Sequence, residues 1–228
     1  MKVLIACECS QTVCTEFRKL GVTAFSCDIA KEYGGHPEWH VQTDVLSIMH
    51  GDCKFVTNDG KRHYIDKWDL VIAHPPCTFL SRAQNGLYNE ARLGSEYVTK
   101  RKQNREKAVN FFLEFTKLDC PYLIENPIGY MNTHYRKPDQ CIEPFMFGDS
   151  ATKTTCLWLN GIPKLLPTHI VDKPGVRCFP KSNPMGLWYF ETSKLPHSER
   201  AKARSKTFPG IAKAIAYQYT NYLKWFGK

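Results

Sequence analysis

The sequence lacks any apolar run long enough to cross a bilayer, which takes about 20 residues in a helix. It also lacks the pattern of a secretory signal. The short apolar part of MKVLIACECS leads at once into polar and acidic residues, and no cleavage site follows. We therefore expect no membrane partner and a cytoplasmic location.

A C-x-x-C pair is also missing, although the 228-residue chain contains ten cysteines. A zinc site would have to be assembled from Cys141, Cys156, His169 and Cys178, and no C-x-x-C pair supports that set. The chain is longer than the small secreted proteins that depend on disulfides. We therefore expect free thiols in a reducing compartment and no metal site.

The first predicted turn, CECSQT, lacks the G-x-G-x-x-G pattern with which dinucleotide-binding proteins hold a pyrophosphate. A ligand that carries pyrophosphate is therefore not expected at this turn.

What the sequence does contain is an alternation of short apolar runs with helical patterns. It predicts strands at 2–7, 22–27, 39–42, 68–73, 121–125 and 153–159, and helices at 12–20, 97–118 and 208–226. Residues 128–152 are predicted to form a loop. Strands that alternate with helices predict an α/β fold with a mostly parallel sheet, whose ligands bind beyond the carboxyl ends of the strands.

Basic residues outnumber acidic ones, giving a formal net charge of +9 and a pI near 9.0. The excess is clustered at Lys100, Arg101, Lys102, Arg105 and Lys107, and again at Arg200, Lys202, Arg204 and Lys206. Such clusters favour a polyanionic partner, nucleic acid first. A solvated basic surface is the alternative that charge alone leaves open.

Polar side chains follow the predicted strands, at Glu8, Ser10, Asp28, Asp44, Cys77 and Glu125. A carboxylate in the position of Asp28 commonly accepts hydrogen bonds from ribose hydroxyls, and Asp44 is placed to accept from an adenine amine. Taken singly, Asp28 and Asp44 are each better explained as a helix cap or a turn residue.

Cys77 follows the strand-ending prolines of WDLVIAHPPCTFLS, so its sulfur is expected on a loop that a ligand can reach. A thiolate is a strong nucleophile, and a glutamate on the neighbouring strand end can hydrogen-bond what it attacks. Methylation of cytosine at C5 needs this combination: thiolate addition at C6 activates C5, and a carboxyl group at N3 stabilises the charge that develops. The alternative is a buried cysteine and a capping carboxylate.

Two segments, DLVIAHPPCTFLS and YLIENP, resemble the catalytic core of the C5-cytosine DNA methyltransferases, especially small members from phages and prophages. In that family a Pro-Cys loop supplies the nucleophile and a Glu-Asn motif supplies the partner of N3. The resemblance implies these roles for Cys77 and Glu125. It also implies a Rossmann-like methyltransferase fold, with a small loop-rich recognition region.

The resemblance further implies S-adenosylmethionine as the cofactor, and DNA with a flipped-out cytosine as the partner. The cofactor-binding residues would be Glu8, Ser10, Asp28, Ile29, Asp44, Val45 and the backbone near Pro75. The substrate-binding residues would be Pro76, Ser81, Asn126 and Lys153. Residues 78–96 are expected to form the loop that closes over the base.

The likeness covers most of residues 1–127 and the last twenty or so residues, and is weaker in between. Residues 1–127 and 200–228 are predicted to form the catalytic core, and residues 128–199 a recognition region with one or two further strands. The chain departs from the family pattern at Gln11, Thr78 and Pro127, and it has no clear Gln-x-Arg-x-Arg strand. Two alternatives stay open. One is the same chemistry on a free cytosine nucleotide or RNA, and the other is a catalytically silent methyltransferase-like protein that binds DNA.

Overall fold

The computed structural model of the protein describes residues 1–179 and 182–226. The strands are β1 (Lys2–Ala6), β2 (Thr23–Asp28), β3 (His40–Gln42), β4 (Cys53–Val56), β5 (Arg62–Ile65), β6 (Leu70–Ala73), β7 (Tyr122–Pro127), β8 (Gln140–Ile142), β9 (Thr155–Asn160), β10 (Val176–Phe179) and β11 (Ser182–Gly186). The helices are α1 (Thr12–Lys19), α2 (Glu90–Leu93), α3 (Ser95–Glu114), α4 (Met131–His134), α5 (Leu187–Ser193), α6 (His197–Ser205) and α7 (Pro209–Phe226).

A seven-stranded sheet with the order β3-β2-β1-β6-β7-β9-β8 forms the centre of the fold. Within this order, neighbouring strands pair in parallel from β3 through β2, β1 and β6 to β7. The last two, β9 and β8, are antiparallel to their neighbours. The predicted α/β class with a mostly parallel sheet is confirmed, and the arrangement is compatible with a Rossmann-like fold.

Helices cover both faces of this sheet, as the nearly continuous apolar sequences of β1 and β6 require. On one face α1 and α7 pack together, burying Phe17, Ile215 and Tyr219. On the other face α3 buries Phe112 against Trp158 of β9, with ring centroids 5.2 Å apart.

Several elements depart from the predicted pattern. Residues 128–152, predicted as loop, contain α4 and β8, and residues 78–96 contain a 3₁₀ helix (Arg82–Tyr88) and α2. Two antiparallel hairpins, β4–β5 and β10–β11, lie outside the central sheet and were not predicted. The proposed division at residue 127 stays a prediction, although β8 and β9, which it assigned to the recognition region, complete the central sheet.

In the described part of the chain, none of the helices combines the length and apolar character that a membrane span requires.

The chain that leaves β7 packs directly against the loop that leaves β6. Tyr130 N donates to Leu80 O at 2.7 Å, and Arg82 N donates to Ile128 O at 2.9 Å. Gly129 lies between these bonds, and a Cβ added there would lie 2.0 Å from the carbonyl oxygen of Leu80. This close approach fixes the loop that begins at Cys77.

We expect Gly129→Ala to lower the free energy of unfolding by about 1–3 kcal/mol, because the added methyl displaces the Leu80 backbone. Urea denaturation measures the change. Gly86→Ala is the matched control, since nothing lies within 4 Å of its added Cβ; its effect should stay within about 1 kcal/mol. Equal losses in the two variants would contradict this account of Gly129.

Candidate active site

The order of the strands reverses between β1 and β6, because the chain proceeds outward to β2 and β3 and then returns to the other side of β1. Ligands of open α/β sheets bind beyond the carboxyl ends of the strands at such a reversal. His74 N donates to Ala6 O at 3.0 Å across this junction. The turn after β1 and the loop after β6 therefore lie side by side at the position that the topology favours for a ligand.

The Cys77 side chain is exposed on the loop after β6, as the sequence predicted. Pro75 and Pro76 prevent the strand from continuing, because neither has an N–H to donate. The carbonyl of Cys77 then accepts from Leu80 N at 3.0 Å and from Ser81 N at 2.9 Å. The loop is thus a tight turn, anchored by the buried side chain of Leu80.

Asn126 ties the end of β7 to the end of β6. Its side chain is buried, and its Nδ2 donates to Pro75 O at 2.8 Å. The Pro-Cys and Glu-Asn motifs that the sequence analysis singled out are therefore joined by a direct hydrogen bond. The register of β7 then directs the preceding residue, Glu125, to the same edge of the sheet.

The sequence analysis missed His74, which contacts Glu125. The Nδ1 atom of His74 lies 3.2 Å from Glu125 Oε2, and the two side chains are 10% and 21% exposed. A carboxylate only accepts hydrogen bonds, so His74 Nδ1 is the donor. The only signal in the sequence was a titratable residue between a buried strand and the Pro-Pro-Cys turn.

A small pocket beside this pair has a volume of about 10 Å³, which is about what one water molecule needs. Its lining includes His74, Glu125 and Lys153, with apolar side chains of α7. Lys153 Nζ donates to Arg204 O at 2.9 Å, which holds its charge near the site. The pocket brings together Lys153 and Glu125, both predicted as site residues.

The surroundings of the site shift the pKa values of Cys77 and Glu125 in opposite directions. Although Cys77 is exposed on its loop, the protein atoms around its sulfur exclude part of the water and raise the pKa of the thiol; the charge of Glu125 raises it further, and Lys153 opposes both. For Glu125, burial raises the pKa, but the hydrogen bond from His74 and the charge of Lys153 bring it below its ordinary value. At neutral pH Glu125 is therefore ionised and Cys77 is a protonated thiol.

Further predicted residues follow β2 and β3 on the same edge of the sheet. Asp28 Oδ1 accepts from Ala30 N at 2.8 Å and Asp44 Oδ1 accepts from Leu46 N at 3.0 Å, so each carboxylate keeps its second oxygen for another donor. Ile29 is 78% exposed beside them, while Val45 is buried. Oxygen acceptors beside an exposed apolar side chain fit an adenosine group, with its ribose hydroxyls and flat base.

Glu8 has a structural partner that the sequence analysis did not foresee. Its carboxylate is buried and accepts from Val13 N at 2.7 Å and Cys14 N at 3.2 Å, at the start of α1. Ser10 Oγ also donates to it at 3.3 Å. Burial raises the Glu8 pKa, which His74 and these bonds oppose. The predicted contacts of Glu8 and Ser10 with a cofactor stay predictions.

Two arginines of the first basic cluster face the loop after Cys77 instead of solvent. The guanidinium carbon of Arg101 lies 5.0 Å from the Phe79 ring centroid, and that of Arg105 lies 3.3 Å from the Tyr88 ring centroid. Arg101 Nη2 also donates to Thr78 O at 3.3 Å. We call Arg101 and Arg105 the arginine clamp. The sequence did not indicate this packing on the Cys77 loop, and the polyanionic partner expected for the cluster stays a prediction.

Five lysines of the two predicted basic clusters remain exposed, at positions 100, 102, 107, 202 and 206. In the second cluster, Arg204 Nη2 instead donates to Tyr189 O at 2.9 Å. Burial raises the pKa of the Tyr189 hydroxyl, the charge of Arg204 opposes this effect, and the carboxylates of Glu143 and Glu125 add to it. Tyr189 of α5 is thus a further residue beside the site that the sequence did not indicate.

The remaining predicted substrate residues, Pro76 and Ser81, lie on the Cys77 loop. Pro76 is exposed, whereas Ser81 Oγ accepts from Ala83 N at 3.3 Å and caps the 3₁₀ helix that follows.

The four predicted zinc candidates are only partly described. Cys141 and Cys156 face each other across β8 and β9, with sulfurs 3.7 Å apart, but the Cys178 side chain lies outside the described residues. Within the described set, no group of three His, Cys, Asp or Glu residues has a metal-binding arrangement.

No protein-family model matches the chain, and a search of curated proteins also finds no match.

We expect the Glu125 carboxyl to titrate below its ordinary pKa, and His74→Leu to raise that pKa, because burial would then be opposed by Lys153 without the hydrogen bond. A depressed folded-state pKa contributes stability above the unfolded-state pKa, and this contribution is lost as pH falls through the folded-state value. Carboxyl ¹³C NMR measures the shift.

The matched control is His50→Leu, an exposed histidine at the other end of the sheet, which should leave the Glu125 titration unchanged. If Glu125 titrates at the same pH in wild type and His74→Leu, the hydrogen bond does not set its ionisation.

Proposed function

We propose that this chain is an S-adenosylmethionine-dependent methyltransferase that acts on C5 of cytosine, in DNA. The main support for this proposal is that Cys77 and Glu125 lie at the carboxyl ends of the adjacent strands β6 and β7. The hydrogen bond from Asn126 to Pro75 joins these two strand ends. An exposed thiol beside a fixed carboxylate is the pair that addition to C6 and contact with N3 require.

The protonated resting state of Cys77 is compatible with this role. A thiol is a weaker nucleophile than a thiolate, so activation has to accompany substrate binding. Lys153 favours the thiolate, and reducing the negative charge on Glu125 would remove one cause of the raised Cys77 pKa. A base that hydrogen-bonds with Glu125 would therefore assist ionisation of Cys77.

The cofactor would be held by the residues at the ends of β2 and β3. Asp28 would accept from the ribose hydroxyls, Ile29 would pack on the adenine, and Asp44 would accept from its amine. When bound, S-adenosylmethionine supplies a methyl group carried on a positively charged sulfur. The adjacency of β1 and β6 places this edge next to the Cys77 loop.

A nucleic acid substrate is supported by the charge of the chain. The net charge is +9, and the two basic clusters carry exposed lysines whose charge attracts phosphates, although Lys102 Nζ already pairs with Glu90 Oε1 at 2.6 Å. A cytosine in a duplex would have to leave the stack to reach Glu125, which lies at the end of a buried strand.

Asp28→Ala is expected to weaken binding of S-adenosylhomocysteine by about 1–3 kcal/mol, because a buried hydroxyl would lose its acceptor. Titration calorimetry measures the change. Asp119→Ala, an exposed aspartate just before β7 at the opposite edge of the sheet, is the control and should bind normally. No binding by the wild-type protein would remove the methyltransferase proposal.

A 5-fluorocytosine oligonucleotide should trap Cys77. The fluorine cannot leave as a cation, so elimination stalls with the sulfur still bonded to C6. The adduct should require S-adenosylmethionine, survive denaturation and map by mass spectrometry to the peptide that contains Cys77. Glu125→Gln should slow methylation by a factor on the order of 10² or more, as expected when a positioned acid is lost.

Two cysteine variants make this test specific. Cys77→Ser should abolish the adduct and keep cofactor binding, because a hydroxyl is a far weaker nucleophile. Cys141→Ser is the matched control, since Cys141 is also exposed but lies on β8, and its adduct should form normally. Trapping by free 5-fluorocytidine or RNA in place of DNA would change the substrate, and full methylation by Cys77→Ser would refute the mechanism.

A further inference from the structure

His74 occupies an unusual position between two carboxylates. Its Nδ1 is bonded to Glu125, while the buried Nε2 has no hydrogen-bond partner among the residues that the structure describes. Glu8 approaches from the turn after β1, close enough for the charge of His74 to act on its titration. Burying an imidazole among charged groups with one nitrogen unsatisfied is costly, so a role beyond packing is indicated.

The charged and titratable groups around His74 come from four elements. Glu8 follows β1, Cys77 lies on the same loop as His74, Glu125 is on β7, and Lys153 precedes β9. The side chains that α7 contributes to the pocket are apolar, with Ile211 and Ile215 among them. Two carboxylates and one ammonium group therefore surround the imidazole.

Glu125 alone is poorly suited to protonate a base at neutral pH. The hydrogen bond from His74 and the charge of Lys153 keep it ionised, and a carboxylate facing the lone pair of cytosine N3 is repulsive. The proton that N3 requires during addition must therefore be supplied from elsewhere, and His74 Nδ1 already points at Glu125 Oε2 at 3.2 Å.

We propose that His74 is the proton store of this site, delivering its Nδ1 proton through Glu125 to N3 of the base that Cys77 attacks. This inference depends on the proposed cytosine chemistry. The Cys77 thiol first loses its proton to solvent, and the sulfur then bonds to C6. As the C5–C6 double bond shifts to C4–C5 and electrons reach N3, Glu125 takes the Nδ1 proton of a protonated His74 and passes a proton to N3. When the C5 hydrogen is then lost to solvent, the C5–C6 double bond re-forms, the C6–S bond breaks, and N3 returns its proton through Glu125 to His74.

In this role His74 is a positioning residue that acts through Glu125. The pH dependence of the reaction rate distinguishes this role from a purely structural one. His74→Asn keeps an amide donor for Glu125 but cannot hold a proton. Adding a thiolate to C6 makes the C5 hydrogen exchangeable with solvent, so deuterium uptake at C5 of an oligonucleotide reports the step. Wild type and variant share the Cys77 requirement, so the ratio of their rates isolates His74.

The ratio of the wild-type to the His74→Asn exchange rate is expected to rise by about tenfold or more between pH 5 and pH 7, because a histidine keeps a proton to higher pH than a carboxyl group does. His50→Asn, at the far end of the sheet, should give a ratio near one at every pH. Within Glu125→Gln, adding His74→Asn should have little further effect, since the path is already broken.

The results of these exchange experiments either support the proton relay through His74 or refute it. A ratio that is large but constant with pH would reduce His74 to a structural role and leave the proposed function intact. Full additivity of His74→Asn and Glu125→Gln would also refute the relay. Absence of exchange and of the fluorocytosine adduct in wild type would refute the proposed function itself, and the relay with it. If His74→Asn does not fold, as judged by circular dichroism, His74→Gln replaces it in the same comparison.

Discussion

The hydrogen bond from Asn126 to the carbonyl of Pro75 is the interaction on which the candidate site depends. Pro75 is buried where β6 has ended, so its carbonyl cannot continue the sheet ladder and needs another donor. Asn126 supplies that donor from the end of β7. Because this bond fixes one strand end against the other, Cys77 and Glu125 are brought to one place by backbone requirements, before any substrate is considered. The site is therefore preorganised by the same bond that closes the sheet edge.

The reversal of strand order between β1 and β6 determines where the residues that follow β1, β2 and β3 lie relative to Cys77. Since β1 pairs with both β2 and β6, the turn that begins α1 lies between the acidic ends of β2 and β3 and the Cys77 loop. Glu8 serves the fold there, because its carboxylate satisfies N–H groups at the start of α1. The same charge faces His74. A helix cap and the titration of the site are thus coupled through one buried carboxylate.

The sequence was informative where local patterns decide structure, and less so where pairing does. The six predicted strands of the central sheet are all present, most of them as apolar runs, whereas the strand at residues 39–42 had only a short and weak pattern. The three-residue strand β8 was missed because its sequence, QCI, has no strand pattern of its own and is extended only because it pairs with β9. His74 could not be recognised for a related reason. Its partner Glu125 is distant in sequence, and only the adjacency of β6 and β7 brings the two side chains together. The arginine clamp could not be foreseen, because the sequence gives the number of charged side chains but not the residues that they pack against.

That clamp bears on how a base would reach Glu125. The pocket beside Glu125 has space for about one water molecule, and its walls come from the end of β6, from β7, from β9 and from α7. The loop after Cys77 is held by Arg101 and Arg105 through contacts with Phe79 and Tyr88, each worth about 0.5–2 kcal/mol. Contacts of this size are strong enough to define a resting position, yet weak enough for substrate binding to overcome. The loop can therefore be ordered in the free protein and still rearrange around a substrate, which links the folding of α3 to access to Cys77.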